Sequence, residues 1–194
     1  MMKTKIAALL TVTMLVAGCS SKSDQATDAA APAQLTVFEF MTEKVDKDAD
    51  IIWEIGNKAI DDQAAIDPAL MSDEDWTRLG KSATQMAADS RALAAVEHIV
   101  VRPVDKRIAD EGTAGAPTVE QIEGHIDRDH DLFRSLAESL ANHADELAGA
   151  AARKDHVVAA RLINELDGVC ESCHLEFWYP EQKELIERMG IATH

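Results

Sequence analysis

Aromatic residues are scarce in this chain. They make up 4% of its 194 residues, whereas hydrophobic residues as a whole make up 46%, and alanine supplies much of that fraction. Alanine and unbranched side chains lose little entropy in a helix, so this composition favours helices and disfavours a sheet. The length is enough for one domain with a sizeable core.

Basic residues are scarce as well. Nineteen Lys and Arg residues stand against 35 Asp and Glu residues, which gives a formal net charge of −16. A surface of this sign excludes nucleic acid as a ligand and disfavours anionic lipid headgroups, so any membrane association must come from a lipid chain. A protein partner should present a basic patch. Alternatively, the charge serves only solubility.

Sequence motifs of enzymes are absent. No Gly-rich phosphate loop, no Ser/His/Asp order and no internal repeat stands out, and no general acid or base is placed for catalysis. The sequence therefore predicts a protein that is not an enzyme.

The first 18 residues predict an export signal. Two lysines precede an apolar run over residues 6–16, which is too short to span a bilayer, and small residues then lead to Cys19. This order resembles the lipobox of bacterial lipoproteins, which implies that Cys19 becomes the lipidated first residue. An ordinary signal peptide that contains a cysteine is the alternative. With Ser20 and Ser21 next, the resemblance implies the outer membrane of a Gram-negative cell envelope, with the protein facing the periplasm.

The segment after the signal divides into a tether and a domain. Residues 19–34 are small and polar and include a proline, so they lack the apolar surface that folding requires and predict a flexible tether. Residues 35–194 are predicted to form the folded domain.

Four amphipathic helices are predicted in the domain. Three of them begin at a capping box, in which Ser or Thr is followed three residues later by Glu, Asp or Gln. The boundaries are helix A from Thr36 to Ile60, helix B from Ser72 to Val101, helix C from Thr118 to Gly149, and helix D from Asp155 to Pro180. Without a strand signal, this pattern predicts an all-α fold, a four-helix bundle with a long connection between helices B and C.

Cys170, Cys173 and His174 form the sequence CESCH on predicted helix D. Residues three and four apart lie on one side of a helix, so both thiols and the imidazole point the same way. Two thiols at this spacing can each add to a vinyl group on one edge of a porphyrin, and the imidazole then reaches the iron. The pattern C-x-x-C-H therefore predicts one covalently attached haem c near the end of the last helix.

Three other interpretations of the cysteines remain open at this point. A thioredoxin-like dithiol expects the pair at a helix start within a βαβ pattern. A structural zinc site needs a fourth ligand, and the other histidines show no paired metal spacing. A disulfide between cysteines three apart in a helix has awkward geometry and leaves His174 without a role.

With CESCH near the end of an all-α chain, the sequence resembles the class II c-type cytochromes, the cytochrome c′ family of four-helix bundles. The resemblance covers about residues 35–178, and only CESCH is a specific motif in it. It implies thioether bonds at Cys170 and Cys173 and His174 as an axial ligand of the haem iron. The chain departs from the family in its lipoprotein tether, its long B to C connection and its 20 residues after His174.

The second axial ligand follows from the same resemblance. Low-spin members of the family use a methionine early in helix A, and Met41 matches that position. Core packing is the alternative role for Met41, since it shares a stripe with other apolar residues. His98, near the end of predicted helix B, is a less favoured candidate, and Met86 or an open site completes the alternatives.

An iron bound by both Met41 and His174 suits single-electron exchange. The sequence therefore predicts an electron carrier whose partners are periplasmic or membrane redox proteins, with a homodimer through helices A and B as a further implication of the resemblance. The rival prediction is a five-coordinate, cytochrome c′-like protein that binds small gases such as NO or CO. A structural lipoprotein with a zinc site is the non-haem alternative. Trp178 and Tyr179 are expected either at the haem edge or as caps of the bundle end.

Overall fold

The computed structural model describes residues 35–189, and this part of the chain is helical without strands. The predicted export signal, the tether and the lipidation of Cys19 lie outside the described residues. In chain order, the α-helices are α1 (Val37–Glu39), α2 (Asp46–Ala59), α3 (Asp73–Ala94), α4 (Val119–Arg128), α5 (His130–Arg153), α6 (His156–Cys173) and α7 (Pro180–Met189). The prediction of an all-α fold is confirmed, but its division into four helices is too coarse.

Two π-helical segments interrupt the predicted helices A and D. The first π-helix, Phe40–Val45, joins α1 to α2, and the second π-helix, His174–Trp178, follows α6 directly. A short 3₁₀ turn at Pro68–Leu70 precedes α3. Both predicted helices therefore continue without a gap in helical structure but change their hydrogen-bond pattern part of the way along.

The predicted helix starts are confirmed. Thr36, Ser72 and Thr118 each close a reciprocal capping box with the residue three positions later. Asp155 accepts a hydrogen bond from the backbone N–H of Val158 and caps α6. Each cap satisfies first-turn N–H groups that have no partner within their own helix.

Predicted helix B ends earlier than expected, at Ala94 instead of Val101. The chain beyond it is not helical at Val100 and Val101, whose carbonyl oxygens accept the backbone N–H groups of Val37 at 3.0 Å and Phe38 at 2.8 Å. Those donors belong to the first turn of α1 and have no acceptor within that helix. The β-branched valines therefore serve the start of helix A and do not extend helix B.

Predicted helix C is two helices. Asp129 leaves the helical conformation, with φ −141° and ψ 63°, and its side chain caps α5 by accepting from the N–H of Leu132. Gly149 does not end the helix, which continues to Arg153. It stops there because Lys154 adopts the left-handed conformation with φ 54°.

Predicted helix D ends before Pro180, as expected, but the chain then forms another helix. Pro180 is the first residue of α7, where the missing N–H of proline has no cost because first-turn donors lack helical acceptors anyway. Helix α7 was not predicted, because a proline after a helical pattern indicates a helix end as well as the first turn of a new helix.

The long helices pack side by side around one apolar core. Helix α3 lies along α5, α5 contacts α6, and α2 contacts both α3 and α6. Helices α2 and α6 approach each other closely at Gly56, where an added Cβ would lie 2.8 Å from Cγ2 of Ile163. No helix within residues 35–189 is long and apolar enough to span a membrane.

Candidate cofactor site

Cys170 and Cys173 lie in the last turn of α6, and His174 begins the second π-helix. Both cysteines are free and half-buried. The hydroxyl of Ser172, between them, donates to the carbonyl of Gly168 at 2.8 Å and so stays with its own helix. The predicted helical placement of CESCH is therefore confirmed as far as Cys173.

Both thiols have raised pKa values. Burial raises the pKa of Cys170 to about 11, helped by the negative charge of Asp167. Burial raises the pKa of Cys173 to about 12, with Cys170 as the next contributor. A redox dithiol reacts through the thiolate, which forms readily only where the pKa is lowered. This environment therefore disfavours the dithiol interpretation, whereas a bound zinc ion would itself lower the pKa of a thiol ligand.

Two neighbouring cavities bring the predicted residues together. The larger, of about 220 Å³, is lined by residues of α1 and the first π-helix, including Met41, and by His174, Trp178 and Tyr179. The smaller, of about 50 Å³, is lined by Cys170, Cys173 and apolar residues of α3 and α5. Met41 and His174 line both cavities, so the structure brings the predicted axial pair to the same two cavities, and the two thiols line the smaller one.

Met41 and His174 share an unusual backbone setting. Each lies in a π-helix, and each has a carbonyl oxygen that accepts from the N–H five residues later, Asp46 in one case and Tyr179 in the other. The bond from Tyr179 to His174 is 2.8 Å long. Single π-helical turns are rare and occur often at functional sites, because the extra residue turns the side chains that follow.

The imidazole of His174 has a carboxylate beside one nitrogen. Its Nδ1 lies 3.5 Å from Oε2 of Glu171, and the side chain keeps 35% of its exposure. A histidine that ligates a metal commonly has its second nitrogen oriented by such a group. With Glu171 next to Nδ1, Nε2 is the nitrogen left for a ligand.

His98 and Met86 lie away from this arrangement. His98 is exposed in the loop after α3, and Met86 is fully buried within α3. Neither residue lines the larger or the smaller cavity. Of the candidates for a second axial ligand, only Met41 lines the cavities that His174 lines.

Two sets of residues at the site were missed by sequence reasoning. Ile108 and Ala109, from the connection between α3 and α4, line the larger cavity. His125 of α4 binds the main-chain carbonyl of Phe177 in the second π-helix. Neither contact has a local sequence signal, because each joins segments far apart in the chain.

Comparison of the chain with protein-family models, curated proteins and solved structures finds no match. Within residues 35–189, no three His, Cys, Asp or Glu side chains are grouped so that they could hold a metal ion by themselves. A haem iron does not need such a group, because the porphyrin supplies four of its ligands and the protein one or two.

Proposed function

We propose that this protein is a monohaem c-type cytochrome that carries single electrons. The observation that supports the proposal is the position of Met41 and His174, which line the same two cavities beside Cys170 and Cys173. The residues are those expected from the pattern C-x-x-C-H and from an early methionine on helix A.

The residues present fit a haem. Two free thiols lie one helical turn apart, Nε2 of His174 is available, and the walls around them are largely apolar. Cys170 and Cys173 would hold the macrocycle as thioethers, and His174 and Met41 would hold the iron. When bound, the group supplies an iron that gains and loses one electron.

The proposed iron ligands and the apolar walls of the site would each favour single-electron exchange. Two protein ligands leave the iron no position for a substrate, and a thioether ligand raises the reduction potential relative to a second histidine. Apolar walls limit the access of water, so little solvent has to reorganise when the charge changes. Trp178 and Tyr179, both half-buried at the larger cavity, cover the site on the side of α7.

The architecture supports the proposal at the level of packing. Helix α2 with the first π-helix, α3, α5 and α6 would be the four members of a bundle, with α4 and α7 as additions at its ends. In this arrangement the haem is attached near the end of the fourth member, as in the class II c-type cytochromes that the sequence resembles.

The proposed location and partners of the protein are based on its sequence. We propose that Cys19 bears the lipid and anchors the domain to the outer membrane, facing the periplasm, by way of the tether at residues 19–34. Periplasmic or membrane redox proteins with a basic surface would be its partners, because the chain has a formal net charge of −16. Pairing of two copies through helices A and B is part of the same proposal.

The test is to produce the full chain together with haem-attachment machinery and to record optical and electron paramagnetic resonance spectra. We expect a covalent haem, a low-spin ferric iron and a methionine-to-iron band. That band should be lost in Met41→Ala and kept in Met86→Ala, since Met86 lines neither cavity. Absence of covalent haem in the unmodified chain would overturn the proposal.

One observation favours the rival function. The larger cavity, of about 220 Å³, lies beside Met41 and has room for a diatomic molecule. A gas-binding protein would show a high-spin ferric spectrum and bind carbon monoxide readily without any substitution. That result would overturn the proposal of an electron carrier in favour of a five-coordinate gas-binding protein, and the proposal of a covalent haem would remain.

A further inference from the structure

The connection between α3 and α4, residues 95–118, is long for a helix–helix connection and is called the crossover loop below. It does not run over the surface independently of the helices. Val100 and Val101 in it supply the acceptors for the first turn of α1, with Val101 fully buried. The loop is therefore fixed to the segment that leads into Met41.

The middle of the crossover loop forms a wall of the larger cavity. Ile108 is only 5% exposed, and it lines that cavity together with Ala109. The same cavity is lined by residues of α1 and the first π-helix, among them Val37, Phe38 and Met41. An isoleucine from the loop thus faces the same space as the proposed iron ligand.

Glu111 holds this part of the loop together. Its carboxylate accepts from the backbone N–H of Ile108 at 3.1 Å and from Nη2 of Arg102 at 3.3 Å. Its main-chain carbonyl accepts from Arg107. Asp110 and Gly112, on either side, have positive φ angles of 59° and 88°, which make the tight turn that brings the carboxylate back to Ile108.

We propose that the crossover loop is a specificity element of the site, in which Ile108, held by Glu111, narrows the space beside Met41 that a small external ligand would need. The inference rests on the proposed function, since it concerns the position that Met41 would occupy. A ligand that competes with Met41 needs space beside the methionine, and Ile108 borders that space. The side chain thereby favours the internal thioether over a diatomic molecule.

A purely structural role for Ile108 makes a different prediction. Truncating any buried isoleucine lowers stability, because apolar contacts are lost and a cavity remains. It changes ligand access only where the new space opens onto the site. Ile66 provides the comparison, since it is also buried in a connection, at 2% exposure, and lines neither cavity.

The experiment uses the full-length holoprotein with carbon monoxide as the probe. The ferrous forms of the unmodified protein, Ile108→Ala and Ile66→Ala are titrated with carbon monoxide, and the midpoint of thermal unfolding is recorded for each. We expect Ile108→Ala to raise the apparent carbon monoxide affinity by about tenfold or more. The smaller side chain leaves more space beside Met41, so the state in which carbon monoxide replaces Met41 becomes better populated. Ile66→Ala should unfold at a lower temperature but bind carbon monoxide as the unmodified protein does.

A second pair of variants tests the loop without changing the cavity wall itself. Glu111→Ala removes the acceptor for Ile108 and Arg102, and Glu97→Ala removes an exposed carboxylate of the same loop. Glu111→Ala should raise the carbon monoxide affinity in the same direction as Ile108→Ala, and Glu97→Ala should not. This pair gives the answer if Ile108→Ala does not fold.

The outcomes separate the two proposals. If haem attaches and both Ile108→Ala and Glu111→Ala bind carbon monoxide no better than their controls, the crossover loop has no such role and the electron carrier still stands. If the unmodified chain attaches no haem, the proposed function fails first, and this inference fails with it.

Discussion

His125 donates its Nδ1–H to the main-chain carbonyl oxygen of Phe177 at 2.9 Å, which ties α4 to the second π-helix. The carbonyl has no π-helical partner, because the N–H of Gln182, five residues on, bonds to Tyr179 instead. The ring of Phe177 is fixed as well, edge-to-face on Phe133 with centroids 5.5 Å apart. The segment that begins at His174 is thus held from α4 and α5 at one residue.

Replacing His125 by alanine should disturb the site as well as the fold. The buried carbonyl of Phe177 would lose its donor, which costs about 1–3 kcal/mol of unfolding free energy. Because the second π-helix would also lose its attachment to α4, we expect a change in the ligand-field spectrum and in the reduction potential of the haem-bound form that we propose. Spectra, redox titration and urea unfolding measure the three effects.

His143 offers a matched control for that substitution. Its Nε2–H donates to the carbonyl of Leu162 at 2.8 Å, between α5 and α6 and before the cysteines. His143→Ala should lower stability by a similar amount and leave the spectrum and the potential as they are. Equal spectral changes in both variants would mean that His125 acts on global stability alone.

Gly56 should not tolerate alanine, although alanine is the better helix former. The added methyl group would meet Cγ2 of Ile163 at 2.8 Å, where α2 and α6 approach each other. Overpacking costs about 1–3 kcal/mol, which exceeds the gain of about 1 kcal/mol in helix propensity. We expect Gly56→Ala to lower the midpoint of urea unfolding.

The same substitution at Gly124 should have the opposite sign. Gly124 is exposed on α4 and has no neighbour within 4 Å of an added Cβ, so alanine gains the propensity without a clash and stabilises by up to about 1 kcal/mol. A loss of stability at both positions would contradict the close packing at Gly56 as the cause.

Asp75 should make the stability of the domain sensitive to acid. Its pKa is well below its ordinary range because its carboxylate accepts from Nζ of Lys58 at 2.6 Å, from the hydroxyl of Ser72 at 2.6 Å and from the N–H of Ser72 at 2.9 Å. A carboxyl with a lowered folded-state pKa contributes stability above its unfolded pKa, near 3.9, and loses it as the pH falls further. The contribution should therefore be complete at pH 7.

Asp75→Asn should lower the unfolding free energy by about 1–2 kcal/mol at pH 7, and the difference from the unmodified protein should shrink as the pH falls below about 4. Asp73→Asn, in the same turn, is the control. Asp73 also binds a lysine, Lys154, but its side chain is 92% exposed, so its substitution should have a much smaller effect. A constant difference between Asp75→Asn and the unmodified protein from pH 7 to pH 3 would argue against the carboxylate charge as the cause.

The starts of the helices could be predicted because they depend on neighbouring residues. The end of helix B depends on residues distant in the chain and could not be predicted. Both partners of a capping box lie within four consecutive residues, so Thr36, Ser72 and Thr118 could be identified from the sequence as helix N-caps. The early end of helix B could not be identified in this way. Its cause is distant in the chain, because the backbone N–H groups of Val37 and Phe38 bond to carbonyl oxygens of the segment after helix B. The π-helices also have no local pattern, since a π-helical bond differs from an α-helical bond only by one residue of register.

The candidate site divides in the same way. Cys170, Cys173 and His174 form one continuous motif, and the spacing alone places them on one side of a helix. Met41 came from a family resemblance. It lines the same two cavities as His174, and its role as an iron ligand stays a prediction. Ile108 and His125 were missed because a buried isoleucine and a half-buried histidine are ordinary residues until their distant neighbours are known.

The hydrogen bonds from Val37 and Phe38 to Val100 and Val101 limit the order in which segments of this protein can fold during synthesis. A chain that leaves a ribosome or a membrane pore with its N-terminus first exposes the start of α1 long before those acceptors emerge. Until they arrive, only water can satisfy the first-turn donors, so the segment that includes Met41 cannot reach its final state early. The cysteines follow later still, and the two halves of the candidate site therefore meet only when nearly the whole chain has appeared.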